Sequence, residues 1–121
     1  MKSMKKVIID TDFLLHSLKF KIDIVKELQR ICSFSIEVYI LDQTLEELKG
    51  KPLEKLAHAV VEAKLKIIKT TTKAPVDDLL LEQKGSIIAT DDKALKERLK
   101  KANFPVISIR QKKYYQLENV L

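Results

Sequence analysis

Cysteine is nearly missing from this chain: Cys32 stands alone among 121 residues. One thiol closes no intrachain disulfide and builds no cysteine-based zinc site. Cys32 falls in an apolar helical pattern and reads as packing. A thiol nucleophile wants a histidine partner, but His16 and His58 lie in helical patterns of their own and read as surface or packing residues. Glycine and proline are scarce, with two and three residues, so short connections are expected and a glycine-rich phosphate loop is excluded. No run approaches the roughly 20 consecutive apolar residues of a membrane span. The apolar run behind the basic opening Met1-Lys2-Ser3-Met4-Lys5-Lys6 stops at Asp10, too early for a signal peptide. Repeats, low-complexity stretches and Pro/Gly-rich linkers are lacking too. These absences lead to the expectation of a cytoplasmic protein, without a membrane partner, folded as a single domain over residues 1–121.

What is present suits a globular core: 45% of residues are hydrophobic and 33% charged. The net charge of +6 is unevenly placed. Residues 1–92 carry 15 Lys/Arg against 15 Asp/Glu, and residues 93–121 carry 8 against 2. A neutral body with a basic end points to a polyanionic partner.

Five short, β-branched, continuously apolar runs read as strands: Val7–Asp10, Val38–Leu41, Ile67–Thr70, Ser86–Thr90 and Val106–Ile109. Runs of this kind belong to strands buried on both faces of a parallel sheet. Helical spacing separates them. Val25, Leu28, Ile31 and Cys32 mark a helix within 22–32. Leu45 and Leu48 mark another, closed by Gly50, and Pro52 opens a third that carries Leu53, Leu56, Ala57 and Val60. Val76–Gln83 ends at Gly85, and Asp91 or Asp92 caps a helix running to Lys101. The alternation predicts an α/β sandwich around a parallel sheet.

Open parallel sheets bind ligands beyond the carboxyl ends of their strands, where strand order reverses. The acids follow those ends: Asp10 and Asp12 after the first strand, Asp42 then Glu46 and Glu47 after the second, Asp91 and Asp92 after the fourth. Asp77 and Asp78 open the helix before the fourth strand. Any one acid here is commonly a helix cap worth about 1 kcal/mol, and Asp42 reads as such a cap. The coincidence of Asp10, Glu47, Asp77 and Asp92 asks for more. Two carboxylates about 4 Å apart repel by roughly 4 kcal/mol at an effective dielectric near 20, so a cluster calls for a cation or shared protons. Without His or Cys among them, the fitting cation is hard and oxygen-loving, Mg²⁺ or Mn²⁺. Such a centre suits phosphoryl chemistry.

Taken together, Val7-Ile8-Ile9-Asp10-Thr11-Asp12-Phe13-Leu14-Leu15, Thr44-Leu45-Glu46-Glu47-Leu48, Val76-Asp77-Asp78-Leu79-Leu80 and Ile87-Ile88-Ala89-Thr90-Asp91-Asp92-Lys93-Ala94-Leu95-Lys96 resemble the PIN-domain family of metal-dependent ribonucleases. The resemblance implies an α/β three-layer sandwich with a five-stranded parallel sheet in the order 3-2-1-4-5. It implies Mg/Mn-dependent endoribonuclease activity, with Asp10, Glu47, Asp77 and Asp92 as catalytic metal ligands and Thr11 as the hydroxyl beside the first acid. Asp12 stands where the family frequently has Asn or Ser, and Asp91 where it frequently has Asn.

The ending Pro105-Val106-Ile107-Ser108-Ile109-Arg110-Gln111-Lys112-Lys113-Tyr114-Tyr115 is similar to PIN proteins of small-subunit ribosomal RNA maturation, including archaeal ones. VapC-type toxins share the acids but less often this ending. The resemblance implies RNA, with pre-ribosomal RNA first among substrates, as partner. It also implies a homodimer and, on the toxin reading, an antitoxin. A basic extension is expected from about residue 110, where Arg110, Lys112 and Lys113 hold phosphates and Tyr114 or Tyr115 offers a stacking face. A non-cleaving RNA-binding assembly factor is the competing reading. A haloacid-dehalogenase-like phosphatase fits poorly, because Leu14 occupies the place of its Thr or Val. A receiver domain fits poorly as well, because Thr70-Thr71-Thr72 stands where its acceptor Asp belongs.

Overall fold

The computed structural model describes residues 4–71 and 73–118. The single-domain expectation also covers Met1–Ser3, Thr72 and Asn119–Leu121, and for those positions it lies outside the described residues, as does the last residue of the threonine run. In chain order the elements are β1 (Lys5–Ile9), α1 (Thr11–Lys19), α2 (Ile24–Ile31), β2 (Ile36–Leu41), α3 (Asp42–Leu48), α4 (Glu54–Lys64), β3 (Lys66–Ile68), α5 (Val76–Leu81), β4 (Ile87–Ala89), α6 (Lys93–Lys101), β5 (Val106–Arg110) and β6 (Tyr114–Glu118).

Alternation of apolar residues explains the layers. In β1, Val7 and Ile9 point into one core with Phe13, Leu14, Leu28, Leu48, Ala57 and Val61 from α1 to α4. Ile8 points into the other core with Leu79, Leu80, Leu95 and Leu99 from α5 and α6. All three β1 residues are fully buried, so β1 is the middle of a three-layer sandwich. Between Asp10 and Ile22, the helical pattern that holds His16 forms α1. Asp10 caps it and Lys21, with φ +58°, ends it. Among the described residues no helix is long and apolar enough to cross a membrane.

The sheet order is β3-β2-β1-β4-β5-β6. Strands β1 to β5 run parallel in the expected order, and β6 lies antiparallel on β5, with Arg110 opposite Tyr114 and Val106 opposite Glu118. The sheet is therefore six-stranded and mixed, which corrects the expected five parallel strands. A three-residue connection, residues 111–113, causes the difference. Gln111 (φ +53°) and Lys112 (φ +56°) are both left-handed, and Lys113 N–H donates to the Arg110 carbonyl at 3.0 Å. That hairpin geometry favours Asn-Gly, and Gln-Lys does not advertise it.

Two anchors hold β6. Tyr115 is buried against the Phe13 ring, 4.9 Å between centroids, and its hydroxyl hydrogen-bonds Ser17 at 2.7 Å. Burial pushes its phenol well above the ordinary tyrosine value. Glu118 accepts hydrogen bonds from Lys100 (2.7 Å), Ser108 (2.9 Å) and Arg110 (2.6 Å). These donors, Lys100 foremost, hold the Glu118 carboxyl down to about 2.

Candidate active site

Strand order reverses between β1 and β4, and the chain leaves both strands at the same edge. Asp10 follows β1, and its N–H donates to the Ala89 carbonyl of β4 at 2.9 Å. Its carboxylate is buried and doubly held. One oxygen accepts from the Thr11 N–H at 2.8 Å and the other from the Thr90 hydroxyl at 2.9 Å. Both bonds favour the charged form, yet burial outweighs them, aided by the charges of Asp77 and Asp12, and pushes the Asp10 carboxyl up to about 6.

Asp77, in the first turn of α5, is also raised. Burial is the largest cause, the Asp92 charge comes next, and Glu47 and Asp78 add to it; Arg98 opposes them. Asp77 thus feels acids from α3 and from the start of α6, and Asp10 at the end of β1 feels Asp77. Four separate elements deliver carboxylates to one edge.

Asp92 and Asp10 are helix caps as well. Asp92 Oδ1 accepts from Leu95 N–H at 3.0 Å, opening α6, which leaves Oδ2 unused by the cap. Glu47 accepts from the Thr11 hydroxyl, which also lies 3.3 Å from the Thr44 hydroxyl. Among the described residues no three His, Cys, Asp or Glu side chains stand close enough to hold an ion as they are placed. The donor set is all oxygen and carries mutual repulsion, which fits a hard divalent cation.

The other acids have separate tasks. Asp91 accepts from the Ile109 N–H of β5 at 2.9 Å and lies 3.8 Å from His16 Nδ1. Asp78 pairs with Arg98 at 2.9 Å. Asp42, at the first residue of α3, binds the Thr70 N–H (3.0 Å) and hydroxyl (2.7 Å), which ties the end of β3 to the start of that helix. Asp12 is exposed and lines a pocket of about 280 Å³ with Thr11, Glu47 and Lys51.

Thr90, Thr44 and Lys51 escaped the sequence reading. Thr90 had a visible signal, since it is a buried hydroxyl immediately before the Asp91-Asp92 pair; besides holding Asp10 it accepts from the Asp92 N–H at 3.2 Å. At the basic end, Arg110 is drawn into the Glu118 cluster. Lys112, Lys113 and Tyr114 are exposed. Of the tyrosine pair, Tyr115 packs inward and Tyr114 faces out.

Residues 7–112 match the family described as PIN like domain. The chain belongs to the PIN-domain family. It is 38% identical to "Ribonuclease VapC4" of Methanocaldococcus jannaschii, over 94% of this chain and 97% of that protein. It also superposes on a solved structure, "Structure of the PIN domain endonuclease Utp24", with a TM-score of 0.84 and 26% identity, covering 96% of this chain and 92% of the other. The family match spans β1 to β5 and ends at residue 112, before β6.

Proposed function

We propose that this PIN-family chain is a metal-dependent endoribonuclease that hydrolyses RNA phosphodiesters at the β1–β4 edge. Asp10, Glu47, Asp77 and Asp92 are its metal-binding and catalytic set. The observation that carries this reading is the convergence of carboxylates from four elements on the β1–β4 edge, where burial first and neighbouring acids second raise Asp10 and Asp77. Groups so placed gain most from a cation, and an all-oxygen set suits Mg²⁺ or Mn²⁺. When bound, such an ion supplies a water nucleophile at neutral pH and stabilises charge on the phosphoryl oxygens.

The chain's own residues do the positioning. Thr11 N–H and the Thr90 hydroxyl fix both Asp10 oxygens. The α6 cap aligns Asp92, and the Thr11 hydroxyl orients Glu47. Supporting partners of this kind are typically worth 10- to 100-fold in affinity or rate, as an order of magnitude. The test is Mn²⁺-dependent cleavage of single-stranded RNA by the pure protein. Unchanged cleavage in Asp10→Asn and Asp92→Asn would overturn the assignment.

Processing of ribosomal RNA is the first reading of the cellular role. It draws on the basic hairpin and on the resemblance of residues 105–115 to PIN proteins of small-subunit ribosomal RNA maturation. The higher identity to VapC4 favours a second reading, a VapC-type ribonuclease restrained by an antitoxin. Growth arrest on induced expression, relieved by Asp10→Asn, supports the toxin; unimpaired growth supports the processing enzyme. A homodimer belongs to the proposal, and sedimentation velocity tests it.

A further inference from the structure

Beside the acidic edge lies a basic face that the catalytic set does not use. The hairpin tip between β5 and β6 meets the turn between α1 and α2. There Lys21, Lys26, Arg30 and Lys113 surround a pocket of about 320 Å³, together with Asp23 and Glu27. Both acids are occupied. Glu27 is paired with Arg30 at 2.8 Å and accepts from the Tyr115 N–H, while Asp23 caps α2 and approaches Lys64 at 4.0 Å. Lys21, Lys26, Lys112 and Lys113 form no ion pair among the described residues.

Contacts link this face to the acids. Asp91, next to Asp92, lies 3.8 Å from His16 Nδ1. The His16 ring stacks on Phe20 with 6.1 Å between centroids and 28° between planes. Lys112 Nζ then sits 5.9 Å from the centre of the Phe20 ring. The His16 side chain is half exposed, so α1 presents an aromatic step between carboxylates and lysines. Aromatic steps beside a cationic groove are the means by which proteins hold single strands.

Backbone conformation singles out the same place. Among the described residues five that are not glycine have a left-handed φ, and three of them, Lys21, Gln111 and Lys112, lie in these two turns. Glycine or asparagine adopts that conformation with less strain. Two of the three positions carry lysine instead, and such backbone strain clusters where a side chain has a task.

We infer that a single-stranded RNA leaves the acidic edge over the His16–Phe20 step and lays its phosphates on Lys21, Lys26, Lys112 and Lys113. The identity of the ligand rests on the ribonuclease reading; the face itself does not. It adds α1 and α2 to the basic end as RNA-holding elements and replaces Arg110, which Glu118 engages, with Lys21 and Lys26.

The test is fluorescence anisotropy with a labelled single-stranded RNA and the full-length Asp10→Asn protein in EDTA, so that binding is read without cleavage. Lys21→Ala, Lys26→Ala and Lys113→Ala together are expected to weaken binding about tenfold or more at low salt. They should also flatten the slope of log affinity against log salt by roughly 2, since each phosphate contact contributes about 0.7. Lys5→Ala, Lys55→Ala and Lys84→Ala remove equal charge elsewhere and are expected to leave the slope unchanged. His16→Ala is expected to weaken binding about fivefold with the slope intact, as lost stacking does.

Equal effects of the two lysine triples, or an unchanged slope in the first, overturn the inference. Equal binding of duplex and single strand overturns it too. A poly-glutamate peptide that competes as well as RNA assigns the face to an acidic protein and also overturns it. Mn²⁺-dependent cleavage by the unmodified chain is scored separately: its failure alone removes the nuclease reading and leaves the binding result standing.

Discussion

Two carboxylates in this molecule have opposite surroundings. Glu118 gathers Lys100, Ser108 and Arg110 around it and is pulled down to about 2. Asp10 is buried near Asp77 and Asp12 and is pushed up to about 6 despite two hydrogen bonds. The first arrangement cancels charge and fastens a strand. The second accumulates like charge at a sheet edge where the fold alone gains nothing from it. Glu118 finds its cations within the chain; Asp10 finds none among the described residues and is left raised, as perturbed groups at functional sites are.

Breaking the second cluster gives the largest effect. Asp10→Asn is expected to lower Mn²⁺-dependent RNA cleavage by about a thousandfold, the scale of several kcal/mol of charge stabilisation, measured as single-turnover rates on a labelled strand. The same change is expected to stabilise the metal-free protein. Because the folded Asp10 carboxyl titrates near 6 against an ordinary value of 3.8, the folded state holds the proton more tightly between those values. The stabilisation from that proton is fully present below about 4 and is lost as pH rises through 6. At pH 7 the charged Asp10 therefore destabilises the fold. Asn, which carries no charge, is expected to raise stability there by about 1–2 kcal/mol, read from urea melts in EDTA. Mn²⁺ is expected to raise the melting temperature of the parent and not of this variant.

Glu118 supplies the converse. Its depressed carboxyl contributes stability above the ordinary glutamate value of 4.5, and that contribution is lost as pH falls from 4.5 through 2. Glu118→Gln is expected to destabilise by about 1–2 kcal/mol at neutral pH, with screening of the half-exposed Lys100 and Arg110 keeping the figure low. Cleavage per folded molecule should stay within twofold. The smallest effect sharpens the contrast. Thr90→Val removes a hydroxyl that donates to Asp10 and accepts from the Asp92 N–H. It is expected to slow cleavage about tenfold, with the pH profile shifted upward as Asp10 becomes harder to ionise.

Much of this was written in local sequence. Val7-Ile8-Ile9 is apolar on both sides of the chain and becomes the fully buried central strand. The acids followed strand ends, and a parallel sheet places those ends together. What escaped depends on contacts remote in sequence or on turns of unusual composition. β6 was hidden because Gln111-Lys112 makes a hairpin turn without Gly or Asn, and because Tyr114–Glu118 looks like a solvated tail. The bounds of α1 were not legible because its buried face mixes Thr11 and Ser17 with Phe13 and Leu14. Which of Asp91 and Asp92 caps α6 stayed open, since what engages Asp91 is the Ile109 N–H, 18 residues away.

The short third strand has a consequence for the molecule's behaviour in concentrated solution. A sheet edge is a template on which another chain can add a strand. The β3 edge offers only Lys66–Ile68, with Ile67 partly exposed between Lys66 and Lys69. Three residues give a foreign strand little to pair with, and the flanking positive charges repel a second copy arriving in register. Lys66 is held in place across the sheet by Glu37. A border so short and so charged disfavours polymerisation through the sheet.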